Sequence, residues 1–398
     1  MKSVTVRGNT NVAWAAPYAV TFRYAAKEGE DIEKLQLSGD FQFFTRRQAK
    51  AYLLQGGTGD GLPCYNAYQW EPGMILAGCT VDGTPSVHYD MVKGDDGVYT
   101  VTIPLPDGQY HYYFVVTRSD GTTEIIPDPE NLPDMNEFHK AYHCQLSVGS
   151  YKLAGELGYG FKRTDGKCGR KVFDSYTAID GTTQPVSIYL PYGFDPSKKY
   201  KVVYVCHGGG GNELEWFNAG CMAEVFDNVI AKGGIVPCIG VTSDNAYFKW
   251  DFEKIAENLF KCVIPFVEEK YNVAPGAENR AYCGLSMGSE TTLHMYMKHN
   301  REFYGFGAFS GGSRYRPTKE ETDIIRGGPH LYLSCGNLDM AYINATYGTD
   351  KDISVTGLRN WLDANDIPYT FHLKDGAHDF NVWIKTLAEF LQYSLWKE

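Results

Sequence analysis

One pentapeptide in this 398-residue chain has the residue types and spacing that surround a reactive serine. Ser286 lies in Gly284-Leu285-Ser286-Met287-Gly288, a Gly-x-Ser-x-Gly pattern that arises by chance in about one such chain in four. Its context is more specific, because an apolar stretch precedes it and a helical pattern follows it. That is the setting of a nucleophile elbow, in which flanking glycines relieve crowding around a strained serine. We expect Ser286 to be a catalytic nucleophile.

Two residues downstream are placed to activate that serine. A serine hydroxyl needs a histidine base, and the base needs a carboxylate that fixes its tautomer. Asp339 follows the predicted strand 330–335, and His378 follows the predicted strand 369–373. Both therefore lie at the carboxyl ends of strands, in the order Ser, Asp, His that α/β-hydrolases use. The sequence predicts Ser286, Asp339 and His378 as the catalytic set.

The neighbouring histidines and carboxylates have simpler interpretations. His330 begins a predicted strand and His372 alternates within another, so packing or surface positions suit them better than a catalytic role. Asp379 is expected to cap the last helix. The remaining loop carboxylates, which are expected to be solvated, are Asp350, Asp352 and Asp375.

A second glycine-rich segment, Cys206-His207-Gly-Gly-Gly-Gly211, closes another predicted strand. It has the form of the HGGG-type oxyanion loop, in which glycines let backbone N–H groups approach a developing negative charge. We predict the N–H groups of Gly209 and Met287 as the oxyanion donors. His207 itself is expected to be structural.

Nucleotide and metal chemistry are not predicted. Glu213 and Leu214 stand where a dinucleotide loop starting at the glycine run would need glycine, and no Gly-Lys-Ser/Thr follows. The chain has no His-Glu-x-x-His, so no metal or cofactor is implied. Its net charge is −11, and residues 1–148 carry 11 Lys/Arg against 18 Asp/Glu. Such a surface repels phosphate backbones and anionic headgroups, so neither nucleic acid nor membrane is expected as a partner.

Three aromatic residues follow strands of the predicted catalytic half. Trp216, Phe248 and Trp250 are candidates to line the acyl and sugar sites of a substrate. Simple packing in the core is an equally good interpretation of all three.

The elements that must position these residues begin at about residue 149, where strands alternate with helical stretches as in a parallel α/β sheet. The predicted strands are 186–190, 201–206, 235–242, 280–284, 305–310, 330–335 and 369–373. The predicted helices are 222–232, 252–271, 287–298, 350–364 and 379–396. We predict an α/β-hydrolase domain over residues 149–398.

The first half of the chain has a different periodicity of apolar residues. Period-2 patterns with turn residues between them predict short strands at 18–24, 35–38, 98–103 and 110–116. Residues 48–78 match neither period and are expected to form a long insertion or loop. Residues 1–148 are therefore predicted to be a separate β-sandwich domain.

The cysteines and the hydropathy of the chain indicate the conditions and the compartment in which it is expected. The ten cysteines form no Cys-x-x-Cys pair, and several end apolar runs, so we expect small buried hydrophobes, with a disulfide framework as the alternative. No stretch reaches the ~20 apolar residues of a membrane span, and the first 18 residues lack the features of a signal peptide. The predicted localisation stays open between the cytoplasm and secretion with the signal removed.

The catalytic half resembles the feruloyl and acetylxylan esterases of carbohydrate esterase family 1, a group related to enterochelin esterases. The matching segments are 187–195, 204–212, 284–288, 309–311, 335–339 and 376–383. The resemblance implies the same nucleophile, acid and base as the residues alone. Ser289 departs from the family's usual glycine, and Phe380 from its frequent tryptophan. The second departure is expected to alter the acyl pocket.

The first half looks like a family 48 carbohydrate-binding module, which implies an immunoglobulin-like sandwich. The segments that carry this looser resemblance are 37–41, 97–110 and 126–131. Tyr68 and Trp70 are candidates to stack on a sugar, with packing on the esterase domain as the alternative.

Together these observations predict a serine carboxylic ester hydrolase that releases ferulate from feruloylated arabinoxylan through an acyl-enzyme. An acetylxylan or carbohydrate acetyl esterase and a siderophore trilactone esterase are the alternative activities. An inactive carbohydrate-binding scaffold is the alternative from another class, and the intact Ser, Asp and His set speaks against it.

Overall fold

The computed structural model describes residues 3–54, 64–76, 87–140, 143–149, 155–313, 315–343 and 353–397. It divides into two compact units, Met1–Gly158 and Tyr159–Glu398. The sequence places the boundary ten residues earlier, at 148/149.

The N-terminal unit is built from antiparallel strands, which in its described part are arranged mainly in two sheets. One sheet has the order β1-β2-β9-β8, and the other has the order β11-β10-β3-β7, with β12 also paired to β10. The strands are β1 Val4–Gly8, β2 Tyr18–Ala25, β3 Lys34–Gly39, β4 Gln42–Phe44, β5 Tyr65–Asn66, β6 Ile75–Leu76, β7 His88–Asp90, β8 Val92–Lys93, β9 Val98–Leu105, β10 Gly108–Thr117, β11 Thr123–Ile126 and β12 Cys144–Val148. The four predicted strands correspond to β2, β3, β9 and β10.

The core of this unit is made by alternate residues of the two sheets. Phe22 of β2 and Tyr112 of β10 are fully buried, and their rings meet edge to face with centroids 5.0 Å apart. Period-2 burial follows from the pleat, because successive side chains of a strand point to opposite faces.

The segment predicted as an irregular insertion contains regular structure where it is described. Helix α1 spans Arg46–Leu54, and β4, β5 and β6 form a small sheet in the order β5-β4-β6. The loop alternative is therefore wrong for these residues, and an insertion stays a prediction. Short elements of two or three residues carry too little periodicity to be seen in a sequence. Residues 55–63 and 77–78 of the segment lie outside the described residues.

The C-terminal unit contains a mixed sheet of eight described strands in the order β13-β14-β16-β15-β17-β18-β19-β20. The first two pairings, β13 with β14 and β14 with β16, are antiparallel, and the remaining ones are parallel. The strands are β13 Arg170–Thr177, β14 Thr183–Leu190, β15 Lys201–Cys206, β16 Cys238–Ser243, β17 Arg280–Leu285, β18 Gly305–Phe309, β19 His330–Gly336 and β20 Tyr369–Lys374. The sequence predicted seven of these strands and missed β13.

Helices cover both faces of this sheet. The described α-helices are α2 Glu215–Asn218, α3 Met222–Ala231, α4 Phe252–Asn258, α5 Ile264–Lys270, α6 Met287–Lys298, α7 Lys319–Arg326, α8 Met340–Ile343, α9 Val355–Ala364 and α10 Phe380–Glu389. On the central strand β15, Val202 and Tyr204 belong to the core that also holds residues of α4, α5, α6 and α9. Val203 and Val205 belong to the core of α3 and α10 on the opposite face.

Several predicted helix bounds change in the structure. The predicted helix 252–271 consists of α4 and α5 joined by a π-helical turn, Leu259–Val263. The last helix, α10, is followed by a second π-helical turn, Phe390–Ser394. Helix α9 begins at Val355 rather than at 350; residues 350–352 lie outside the described residues. Helix α7 was not predicted.

The cysteines and the helices bear on the expectations about disulfides and membrane spans. The nine cysteines in the described residues are all unbonded, and Cys206, Cys283 and Cys335 are buried as expected. Among the helices of the described residues, none combines the length and the apolar character that crossing a membrane requires.

Candidate active site

Ser286 occupies a strained turn between β17 and α6. Its backbone has φ 52° and ψ −119°, a conformation that residues other than glycine adopt at a cost of order 1–3 kcal/mol. The turn is held by the N–H of Ser286, which donates to the carbonyl of Phe309 at 2.9 Å. This serine is half-buried, whereas strand β17 before it is mostly buried.

The glycines around the serine are required by close backbone contacts. A Cβ on Gly284 would lie 2.6 Å from the carbonyl oxygen of Gly288. A Cβ on Gly288 would lie 2.5 Å from the carbonyl oxygen of His207, in the loop after β15. The spacing of the pentapeptide therefore has a steric cause: the turn, the start of α6 and the neighbouring strand end meet backbone to backbone.

The structure brings His378 and Asp339 to this serine. Asp339 follows β19 and is fully buried, and His378 lies between β20 and α10 and is 6% exposed. His378 Nδ1 is 2.9 and 3.1 Å from the two carboxylate oxygens of Asp339. On the other side of the ring, Nε2 is 3.1 Å from Ser286 Oγ. Oδ1 of Asp339 is also fixed by the N–H of Ala341 at 2.8 Å.

The charge of His378 is set by two opposing effects. Burial by itself would lower its pKa, because the imidazolium loses solvation. The adjacent Asp339 carboxylate outweighs burial, with a smaller contribution from Asp379, and the net pKa is raised above its usual value. The imidazolium is therefore stabilised, which is the form that His378 takes when it accepts a proton.

Asp379 has the capping position that the sequence predicts for it. Its carboxylate accepts the N–H groups of Asn381 and Val382 at the start of α10. Burial raises the pKa of this carboxyl from 3.8 to about 6, although the two N–H bonds act in the opposite direction.

The glycine loop after β15 is anchored by His207. This side chain is fully buried, its Nδ1 is 2.9 Å from the carbonyl oxygen of Gly208, and its Nε2 accepts the N–H of Asn245 at 3.1 Å. The predicted structural role of His207 agrees with these contacts. Gly209 follows at the exposed edge, where an added Cβ would lie 3.3 Å from Met287 Cγ.

The two N–H groups predicted as oxyanion donors are both available. Met287 is the first residue of α6, so its N–H has no intrahelical acceptor. Among the described residues, neither this N–H nor that of Gly209 is bonded to an acceptor. The two residues are close neighbours.

The three aromatic candidates differ in their placement. Trp216 is fully buried, donates its Nε1–H to the carbonyl of Cys206 at 2.9 Å and packs edge to face on Phe309 and Phe380. The prediction that it contacts substrate is therefore wrong: it supports the glycine loop from within the core. Phe248 is 9% exposed and also belongs to a core.

Trp250 is the aromatic candidate that is best placed beside the site. It is half-buried, has φ 59° and lies edge to face against His207 with centroids 5.4 Å apart. Phe380, two residues after the predicted base, is also half-buried and packs edge to face on Trp383.

Two supporting residues were not predicted. Trp383 lies edge to face on His378 with centroids 4.8 Å apart and donates its Nε1–H to Ser310 Oγ. Asn245 holds His207 through its N–H and also contacts Cys206 Sγ through Nδ2. In the sequence, Trp383 is only an apolar position of the predicted last helix. Nothing in the sequence distinguishes Asn245 from any other asparagine in a loop.

The sheet order and the strained serine turn define the C-terminal unit as an α/β-hydrolase-type unit. Residues 178–393, more than half of the chain, match the family model Esterase, described as "Putative esterase". The chain belongs to this family.

The chain is also similar to two curated proteins and to a solved structure. An endo-1,4-beta-xylanase/feruloyl esterase of Xylanibacter ruminicola is 28% identical over 321 residues, which cover 77% of this chain and 41% of the relative. Endo-1,4-beta-xylanase Y of Acetivibrio thermocellus is 36% identical over 140 residues, 32% of this chain and 13% of the relative. The chain thus spans well under half the length of both relatives. A CE1 ferulic acid esterase of Anaeromyces mucronatus, solved with ferulic acid, has the same fold at a TM-score of 0.50 and 22% identity, covering 60% of this chain and 94% of that one.

Proposed function

We propose that this protein is a serine carboxylic ester hydrolase that works through an acyl-enzyme. The observation that carries the proposal is the continuous relay from Ser286 Oγ through His378 to the buried carboxylate of Asp339, with contacts of 3.1 and 2.9 Å. Membership of the Esterase family supports the same reaction class.

In the acylation step, Ser286 Oγ attacks the ester carbonyl carbon while its proton passes to His378 Nε2. The carbonyl oxygen becomes negative and is held by the N–H groups of Gly209 and Met287, which are otherwise unoccupied among the described residues. Asp339 stabilises the imidazolium. His378 then gives the proton to the leaving alkoxide, and the C–O bond of the ester breaks.

Deacylation repeats these steps with water. His378 takes a proton from the water, whose oxygen attacks the acyl carbon. The same N–H groups hold the second oxyanion until the Ser286 ester bond breaks and the free acid leaves. No step needs a metal or cofactor.

The proposed substrate is feruloylated arabinoxylan or its oligosaccharides. The support is that a relative aligned with 77% of this chain is named a xylanase/feruloyl esterase. The half-buried rings of Trp250 and Phe380 offer apolar surface for a planar acyl group. A carbohydrate acetyl ester is the second candidate, favoured by a match to an acetyl esterase of Caldicellulosiruptor saccharolyticus, 22% identical over 231 residues.

The test measures turnover of methyl ferulate, acetylated xylan and a catecholate trilactone by the same preparation. We expect methyl ferulate to have the highest kcat/KM, and Ser286→Ala to abolish turnover of all three. The matched control is Ser289→Ala, which removes a buried hydroxyl from the same helix and should keep activity within about tenfold. Turnover that persists in Ser286→Ala would refute the assignment of the nucleophile, and a preference for acetyl esters would refute the assignment of the substrate.

For the N-terminal unit we propose an immunoglobulin-like carbohydrate-binding module over about residues 1–148. One support is its pair of antiparallel sheets. The other is that the alignment with the xylanase/feruloyl esterase covers 77% of this chain, whereas Tyr159–Glu398 makes up only 240 of the 398 residues, so the alignment extends into the N-terminal unit. Trp70 packs on Phe43 in the core and is not suited to stack on a sugar. Tyr68, 43% exposed and next to Trp14, is the better platform.

Affinity electrophoresis in gels that contain arabinoxylan tests this second proposal. Retardation of the intact chain should weaken in Tyr68→Ala and stay unchanged in Tyr192→Ala, which removes an exposed tyrosine of the C-terminal unit. Equal mobility with and without the polysaccharide would refute binding.

A further inference from the structure

Three potential metal ligands meet away from the catalytic serine, where α4 approaches the end of α6. Glu253 lies in the first turn of α4, His294 in α6, and His299 directly after α6. One ligand atom from each residue lies within 4.8 Å of the other two. His294 Nε2 is 3.6 Å from Glu253 Oε1, beyond a hydrogen bond.

One nitrogen atom of each imidazole is left unsatisfied in a way that buried polar atoms seldom are. The Nε2 atoms of His294 and His299 are both inaccessible to solvent and have no hydrogen-bond partner among the described residues. The His294 side chain is only 11% exposed, while Glu253 is 73% exposed. A buried nitrogen without a partner is costly, so each such atom calls for an explanation.

We propose that Glu253, His294 and His299 bind a divalent transition metal ion, Zn²⁺ in the first place, at a site separate from the catalytic residues. Imidazole and carboxylate are a suitable ligand set for Zn²⁺, and water would supply the fourth ligand. Zinc–ligand distances of about 2.0–2.2 Å put tetrahedral ligand atoms roughly 3.3–3.6 Å apart, so the 3.6 Å between His294 and Glu253 nearly fits, and separations of up to 4.8 Å must shorten by roughly 1 Å. Glu253 is on the surface, so its side chain is free to adjust to the ion.

The electrostatic surroundings favour neutral histidines and a bound cation. Burial lowers the pKa of both imidazoles, Lys298 acts in the same direction, and Glu253 opposes it. Neutral imidazole is the form that ligates a metal. Lys298 is the unfavourable neighbour of a cation, but its ammonium is paired with Glu321 at 2.6 Å. Asp251 and Glu302 add negative charge on either side of the pair.

The role of such an ion is to join α4 to α6. Helix α6 begins at the serine turn, and His294 lies eight residues further on, roughly 12 Å along the helix. Helix α4 directly follows the segment that carries Phe248 and Trp250. A bound ion therefore fixes that segment relative to the helix of the nucleophile without touching substrate.

Titration of the full chain with Co²⁺ tests the site directly. A site of two imidazoles, a carboxylate and water gives visible d–d bands without a thiolate charge-transfer band, which distinguishes it from binding by the chain's cysteines. We expect saturation at one equivalent, displacement by Zn²⁺, and binding at least tenfold weaker in Glu253→Gln, which changes only an exposed side chain. His294→Gln and His299→Gln should abolish the bands, and His330→Gln, at an exposed histidine outside the cluster, should leave them unchanged.

Thermal unfolding gives a second readout that does not depend on activity. Saturating Zn²⁺ should raise Tm by roughly 5 °C in the wild type and not in Glu253→Gln. The proposal is overturned if Co²⁺ binds the wild type and the Glu253→Gln and His294→Gln variants equally, or if no binding is found. In either case the two histidines only pack against Phe252 and Phe260.

Discussion

Replacing Asp339 by asparagine is the sharpest test of the relay. The shape of the side chain is kept, and the N–H of Ala341, now 2.8 Å from Oδ1, would hold the asparagine oxygen in place. The His378 Nδ1–H would keep an acceptor there, so the main loss is the negative charge. Asp339→Asn thus isolates the stabilisation of the imidazolium that forms when Ser286 gives up its proton.

The expected loss can be worked from the contacts. The carboxylate oxygens are 2.9 and 3.1 Å from Nδ1. The centres of the two charges are then roughly 4 Å apart, and at an effective dielectric constant near 20 such a pair attracts by about 4 kcal/mol. That energy corresponds to about a thousandfold loss in kcat/KM.

The assay is kcat/KM on methyl ferulate between pH 5 and 9. The pKa of His378 in the wild type is raised by Asp339 against the effect of burial. Without the carboxylate charge, burial prevails, and the acidic limb of the profile should move to lower pH. The control is Asp375→Asn in the same loop region, where the carboxylate is exposed and should matter little. A loss below tenfold, or an acidic limb that moves to higher pH, would refute the reasoning.

Three further predictions concern the surroundings of the relay. Gly288→Ala should lower both Tm and kcat, because its Cβ would lie 2.5 Å from the His207 carbonyl oxygen; an unchanged melting curve would contradict this contact. Asp379→Asn should flatten the dependence of Tm on pH between about 4 and 6: the folded-state pKa of about 6 exceeds the ordinary 3.8, so the folded state binds more protons and loses stability as pH rises through this window. A slope equal to that of the wild type would count against it. Trp216→Phe should cost about 1–3 kcal/mol in urea unfolding by leaving the Cys206 carbonyl without its donor, while KM for methyl ferulate stays the same; a large rise in KM would restore a substrate role.

The parts of the fold that sequence predicted best are those with long, uniform burial. Strand β15 and helix α6 have the predicted bounds, since each has one continuous pattern. Strand β13 was missed because its residues are mostly half-buried and pair at an antiparallel edge, where the alternation is weak. Helix α7 had a usable signal: Thr318 and Glu321 form a capping box, which is readable as Thr-x-x-Glu.

The candidate site also contains residues that the sequence could predict and residues that it could not. The meeting of Ser286, Asp339 and His378 could be predicted because a local motif and chain order limit the choices. The role of Trp216 could not be assigned from the sequence. A tryptophan that supports the glycine loop from within the core and one that contacts substrate at that loop have the same sequence context. The cluster of Glu253, His294 and His299 could not be seen in the sequence, because Glu253 is 41 residues away from His294.

The backbone contact between Gly288 and the glycine loop also has an evolutionary consequence. Because side chains are excluded from that junction, substitutions there can hardly change the shape of the candidate site. Changes in substrate range are instead expected in the segments that follow β16 and β20, where Trp250 and Phe380 lie. The same rigid junction can thereby serve esterases with quite different acyl groups, and comparison of natural variants should find diversity concentrated at those two segments.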